Sequence, residues 1–158
     1  VRYFYAVHIL PRNGDRSGAV MFKTVLFPID GSPEAREATD AAINIVQTYN
    51  SRLILLSVVE EQLATEEDPT IPDMMASPEA IAQLLQKAQA LFRERGIQAE
   101  AVERQGKPAF TICDVADEMD ADLIIMGCRG MGLTEQGLAD SVTNRVINLS
   151  PCPVLIVP

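Results

Sequence analysis

Residues 123–141, LIIMGCRGMGLTEQGLADS, decide the fold. The four apolar residues Leu123 to Met126 predict a buried strand, because a strand covered on both faces is apolar without alternation. That strand runs straight into Gly127 and then Gly130. Paired glycines free the backbone to turn sharply and to bring bare N–H groups against a ligand. Asp140-Ser141 then opens a helix, whose unpaired first-turn N–H groups and hydroxyl suit phosphate oxygens. Strand, glycine loop and helix start form the layout of an anion site. A nucleotide is the first ligand to consider.

Upstream, Phe22 to Ile29 predicts a strand that ends at Asp30-Gly31-Ser32-Pro33, a strand-then-turn signature. Ser32 is suited to cap a helix with Pro33 at its first position, and Ala35, Ala38, Ala42, Ile45, Val46 and Tyr49 recur at helical spacing. Leu53 to Val59 is a second, almost wholly apolar strand. Residues 60–76 carry a run of carboxylates with Pro69 and Pro72 and read as a long acidic loop, with Met74-Met75 as its hydrophobic anchor. Ser77-Pro78-Glu79 opens a helix that runs to Arg95 and stops at Gly96. Ile97 to Glu103 alternates as an outer strand, and Pro108 begins a third helix over roughly 108–119. Ser141 to Leu149 is the last helix, and residues 153–157 the last strand.

Alternating buried strands and helices predict an α/β fold, an open five-stranded parallel sheet with helices on both faces. Right-handed crossovers leave few arrangements, among them the orders 2-1-3-4-5 and 3-2-1-4-5. Periodicity does not choose between them. Both bind ligands at the carboxyl ends of the strands, where the winding reverses.

Composition narrows the function. A chain of 158 residues makes one domain, with roughly two-thirds of its unfolded surface buried. The net charge is −9; Arg2, Arg12, Arg16 and Asp15 sum to +2, so residues 21–158 carry −11. A body this acidic, with no basic stripe, is unsuited to nucleic acid or an anionic membrane surface. No apolar run approaches the ~20 residues needed to span a bilayer. Cys113, Cys128 and Cys152 form no CxxC, so reduced thiols and a cytoplasmic location are expected. The sole histidine is His8, which leaves the body without a general base poised near neutral pH. Residues 1–20 are expected to be an upstream or non-native extension, with the domain proper at 21–158 and Met21 as its natural start.

Two strand ends stand out, Asp30 and Gly127. If their strands are neighbours, Asp30 reaches a ribose hydroxyl or adenine edge while the 127–141 loop holds phosphates. Asp30 serves equally well as an Asx turn or a helix cap.

The segments MFKTVLFPIDGS, LLSVVEE, DLIIMGCRGMG and DSVTNRVINLSPCPVLIVP together resemble the universal stress protein family, across nearly all of residues 21–158. That family's nucleotide motif is G-x2-G-x9-G-[ST]. Here Gly127, Gly130 and Ser141 match, and Asp140 replaces the third glycine. The resemblance implies a Rossmann-like sheet of the adenine nucleotide alpha hydrolase-like type, order 3-2-1-4-5, binding ATP or another adenine nucleotide. It implies that Pro28, Ile29 and Asp30 border the adenosine and that Val58 presents backbone to the adenine. Met126 and Gly127 would line base and sugar, with Arg129 and Gly130 along the phosphate path. Ser141, Val142 and Thr143 would donate to the phosphates. It further implies a homodimer through strand 153–157, acting as a stress-response sensor or regulator. A nucleotide-independent interaction module and a slow ATPase or self-phosphorylating protein are the alternatives.

Asp140 has three readings. It caps the last helix, it repels the phosphates, or it joins them through Mg²⁺. Arg129 is either a phosphate partner or a solvated loop arginine. Cys128 is a passive loop thiol or, with its thiolate stabilised, a redox-sensitive one.

Overall fold

The computed structural model describes residues 21–60, 78–127 and 141–158. The N-terminal twenty residues, the acidic loop with Met74-Met75, and the segment holding Cys128, Arg129, Gly130 and Asp140 lie outside the described residues. The elements, in chain order, are β1 (Thr24–Pro28), α1 (Pro33–Tyr49), β2 (Arg52–Val59), α2 (Pro78–Glu94), β3 (Ala99–Gln105), α3 (Pro108–Glu118), β4 (Leu123–Gly127), α4 (Val142–Leu149) and β5 (Val154–Val157). All strand pairs are parallel. The sheet order is β3-β2-β1-β4-β5, which resolves the choice that periodicity left open.

Strand alternation builds two cores, one on each face. Val25, Phe27, Leu53, Leu55, Leu123 and Ile125 meet Ala38, Ala42 and Val46 of α1 and Ile81, Leu85 and Phe92 of α2. Leu26, Ile54, Leu56, Ile124, Met126 and Val154 meet Ile112, Cys113, Val115 and Ala116 of α3 and Val146 of α4. Phe27 and Phe92 meet edge to face, with ring centroids 6.1 Å apart.

The helix ends follow their residue chemistry. Ser32 caps α1 by accepting from the Ala35 N–H at 3.3 Å. α2 stops at Gly96, in the left-handed region with φ +76°. The Gly96 N–H donates to Arg93 O at 2.9 Å and the Ile97 N–H to Phe92 O at 2.9 Å, the paired bonds of a Schellman cap. Ile97, expected in the third strand, instead packs in the core as the apolar member of that cap. The strand therefore starts two residues later, at Ala99.

The junction of β1 and β4 positions the site. At their amino ends Asp122 Oδ2 accepts from the backbone N–H groups of Lys23 at 2.9 Å and Thr24 at 2.8 Å. The Asp122 N–H in turn donates to Thr24 O at 2.8 Å. A carboxylate thus clasps two strands that lie about a hundred residues apart in the chain. Removing an acceptor leaves donors unmade, at roughly 1–3 kcal/mol for a buried group. The Lys23 N–H is exposed and the Thr24 N–H only part-buried, so Asp122→Ala is expected to cost about 1–2 kcal/mol. Urea denaturation checks this. An unchanged midpoint would mean that water replaces the carboxylate without loss.

Candidate functional site

The sheet is clasped at one end of the β1–β4 pair and parts at the other. β1 stays paired with β2 through Pro28↔Leu56, and the Ile29 N–H still donates to Leu56 O at 2.8 Å. β4 stays paired with β5 through Gly127↔Val157. Between β1 and β4, however, the register ends at Leu26↔Ile124. β2 and β3 remain joined to their ends, where the Gly106 N–H donates to Val59 O at 2.9 Å. The carboxyl ends of β1 and β4 are therefore unpaired with each other, the position at which a ligand crevice is expected. This is the point where the chain's winding reverses, because β1 leads outward to β2 while β3 crosses back to β4.

Residues from both layers border the crevice. Ile29, 8% exposed, belongs to the core under α1 and α2, and Met126, 7% exposed, to the core under α3 and α4. Pro28 is half-buried and Asp30 exposed. Asp30 Oδ1 accepts from the Ser32 N–H at 2.9 Å, so the Asx-turn reading of this residue holds. Gly31 at φ +78° permits the turn. One carboxylate oxygen is used in the turn, and the residue as a whole remains open to solvent. Val58 is half-buried and pairs with Arg104 of β3. It shares the carboxyl edge but lies beyond β1 as seen from β4.

On the β4 side, Ser141 is the N-cap of α4, accepting from the Asn144 N–H at 3.1 Å. The cap is thus residue 141, and the reading that gave the cap to Asp140 is corrected. The Thr143 hydroxyl donates to Gly127 O at 3.3 Å, which ties the first turn of α4 to the end of β4. In that turn the N–H groups of Val142 and Thr143 precede the one that Ser141 engages. Such groups have no intrahelical partner, and the positive end of the helix dipole favours an anion by about 0.3–1 kcal/mol per charge.

Both described cysteines are reduced and buried. Burial pushes the Cys152 thiol up to about 11, and burial followed by the nearby Asp114 raises Cys113. Neither is a thiolate at neutral pH. Among the described residues no group of three or more His, Cys, Asp or Glu is placed to hold a metal ion, and no helix is long and apolar enough to cross a membrane.

The model of the universal stress protein family matches residues 21–158. The chain belongs to that family. It is 57% identical over 141 residues to the universal stress protein Sll1654 of Synechocystis sp., covering 89% of this chain and 88% of the relative. It is 32% identical to the universal stress protein YxiE of Bacillus subtilis, covering 87% of this chain and 99% of that one. A universal stress protein solved in complex with cAMP superimposes with a TM-score of 0.69 at 27% identity, covering 86% of this chain and 96% of the other.

Nine of the twelve positions singled out in the sequence are described, and all nine lie on the carboxyl edge of the sheet or the first turn of α4: Pro28, Ile29, Asp30, Val58, Met126, Gly127, Ser141, Val142 and Thr143. Arg129, Gly130 and Asp140 lie outside the described residues. The Asp122 clasp escaped the sequence reading, since an aspartate at the head of an apolar strand carries no local sign of its partners. Its signal exists only in the register that places Leu123 beside Val25.

Proposed function

We propose that this universal stress protein binds an adenine nucleotide in the crevice between β1 and β4 and acts as a dimeric regulator in the stress response. The observation that carries the reading is the early end of the β1–β4 ladder between the capped starts of α1 and α4. The relative solved with cAMP supports an adenine ligand in this fold. Ile29 and Met126 are apolar walls suited to the adenine and sugar, and Val58 offers backbone at the same edge. The Asp30 carboxylate is suited to accept from ribose hydroxyls. The Val142 and Thr143 N–H groups and the Ser141 hydroxyl suit the phosphates, with Arg129, Gly130 and Asp140 completing the phosphate side by their place in the motif. Mg²⁺ enters if Asp140 shares it with the phosphates.

The described part of this site contains no histidine, and Asp30 is its only carboxylate. Binding and release therefore fit it better than rapid hydrolysis, which needs an oriented base or water-positioning group. Equilibrium titrations with AMP, ADP, ATP and cAMP, each with and without Mg²⁺, test the reading. Saturable binding by at least one of the four is expected. No binding by any of them at millimolar concentration would leave a nucleotide-independent interaction module as the better account.

Dimerisation rests on β5. Val154–Val157 is an apolar strand at the sheet edge, paired on its β4 side, and Leu155, Ile156 and Val157 are half-buried. The opposite edge, β3, carries Glu100, Glu103 and Arg104, charges that discourage edge pairing. A twofold mate aligned along β5 would cover the apolar edge. Sedimentation analysis of Ile156→Lys is expected to show a monomer where the unsubstituted protein sediments as a dimer. A dimer that survives the substitution would place the interface elsewhere.

A further inference from the structure

We propose that the groove between α1 and α2 is a second ligand site, one that takes a small amphipathic carboxylate. Phe27, Ile29 and Phe92 form its buried floor, with Leu84, Ala88 and Leu91 along α2. Its volume is about 170 Å³, comparable to the roughly 150 Å³ engineered apolar cavity that admits benzene. A chain of about six to eight carbons matches that space. Leu91 remains 44% exposed at the groove, and an apolar tail laid there would remove it from water.

Charge selects the head group. Among the described lining residues the two ionisable side chains are both cations, Arg36 from α1 and Lys87 from α2, with no Asp or Glu beside them. This occurs in a chain with 22 acidic and 13 basic residues. Arg52 pairs with Glu100 and Arg104 with Glu118, and neither groove cation is committed to those pairs. Guanidinium and carboxylate pair in bidentate geometry, and the Lys87 ammonium, on the other helix lining the groove, adds a second positive charge for the same head group. The groove lies between α1 and α2 on one face of the sheet and adjoins the nucleotide crevice, sharing Ile29 with its border, while its two cations belong to the groove alone.

The probe is octanoate, read by amide chemical shifts and by calorimetry on the full chain, with 1-octanol as the uncharged comparison. Octanoate is expected to shift the amides of Leu84, Ala88 and Leu91 in a saturable way. It should bind about tenfold more tightly than octanol, and Arg36→Gln with Lys87→Gln should remove that preference. AMP titrated into the same double variant should bind as in the unsubstituted protein, which separates this site from the nucleotide reading. Equal binding of octanoate and octanol would overturn the proposal, as would shifts located elsewhere or octanoate binding indifferent to the double substitution.

Discussion

Titration of ATP into Asp140→Gly is expected to give an affinity about a hundredfold above that of the unsubstituted protein. The family motif carries glycine where this chain has aspartate, and in the proposed site a carboxylate there would face a triphosphate of three to four negative charges. Two unit charges about 5 Å apart repel by roughly 3 kcal/mol at an effective dielectric near 20, which is about two orders of magnitude in binding. The substitution should leave the helix intact, because Ser141 rather than residue 140 caps α4. The gain should be smaller for AMP, which carries fewer charges. It should shrink with excess Mg²⁺, because a cation between carboxylate and phosphate turns repulsion into attraction. An ATP affinity that is the same in both proteins would show that the carboxylate does not face the phosphates.

Asp30→Ala is expected to weaken every adenine nucleotide by about tenfold to a hundredfold, the usual range for losing a hydrogen bond to a charged group. Loss should be similar for AMP and ATP, because the proposed contact is to the ribose that both share. Asp30 also holds the Ser32 N–H, so some stability is lost with the side chain. Asp30→Asn keeps an oxygen for that turn and separates the two effects. Its melting temperature should stay near that of the unsubstituted protein while its nucleotide affinity falls. If Asp30→Ala binds AMP undiminished, the residue serves the turn alone.

Most of the fold was legible because buried parallel strands announce themselves as apolar runs. Leu53 to Val59 and Leu123 to Met126 match β2 and β4 to within a residue. Ser32 and Gly96 punctuate helices as their side-chain chemistry dictates. Ile97 misled because a hydrophobic residue after a helix-ending glycine serves equally as a cap contact and as a strand start. Phe22 reads as strand for a related reason. It packs edge to face on Tyr49 with ring centroids 5.1 Å apart, so its burial comes from α1 rather than from the sheet ladder, which begins at Thr24. Strand order was not legible in local periodicity, since both candidate orders bury the same apolar faces. The family resemblance supplied it.

The site was legible in part. Asp30 and Gly127 are conspicuous as polar or glycine ends of apolar strands, and Ser141 as a helix start. That β1 and β4 part after Leu26 and Ile124 is a property of register. The Asp122 clasp at their other end is a contact between segments 98 and 99 residues apart. No local pattern reveals either.

The most direct test of the account is amide chemical-shift mapping of the full chain with saturating AMP, which avoids the charge question at Asp140. The largest changes are expected at Ile29, Asp30, Val58, Met126, Gly127, Val142 and Thr143, along the carboxyl edge of the sheet. Changes confined to the clasped end around Lys23, Thr24 and Asp122, or to the outer helix faces, would contradict it.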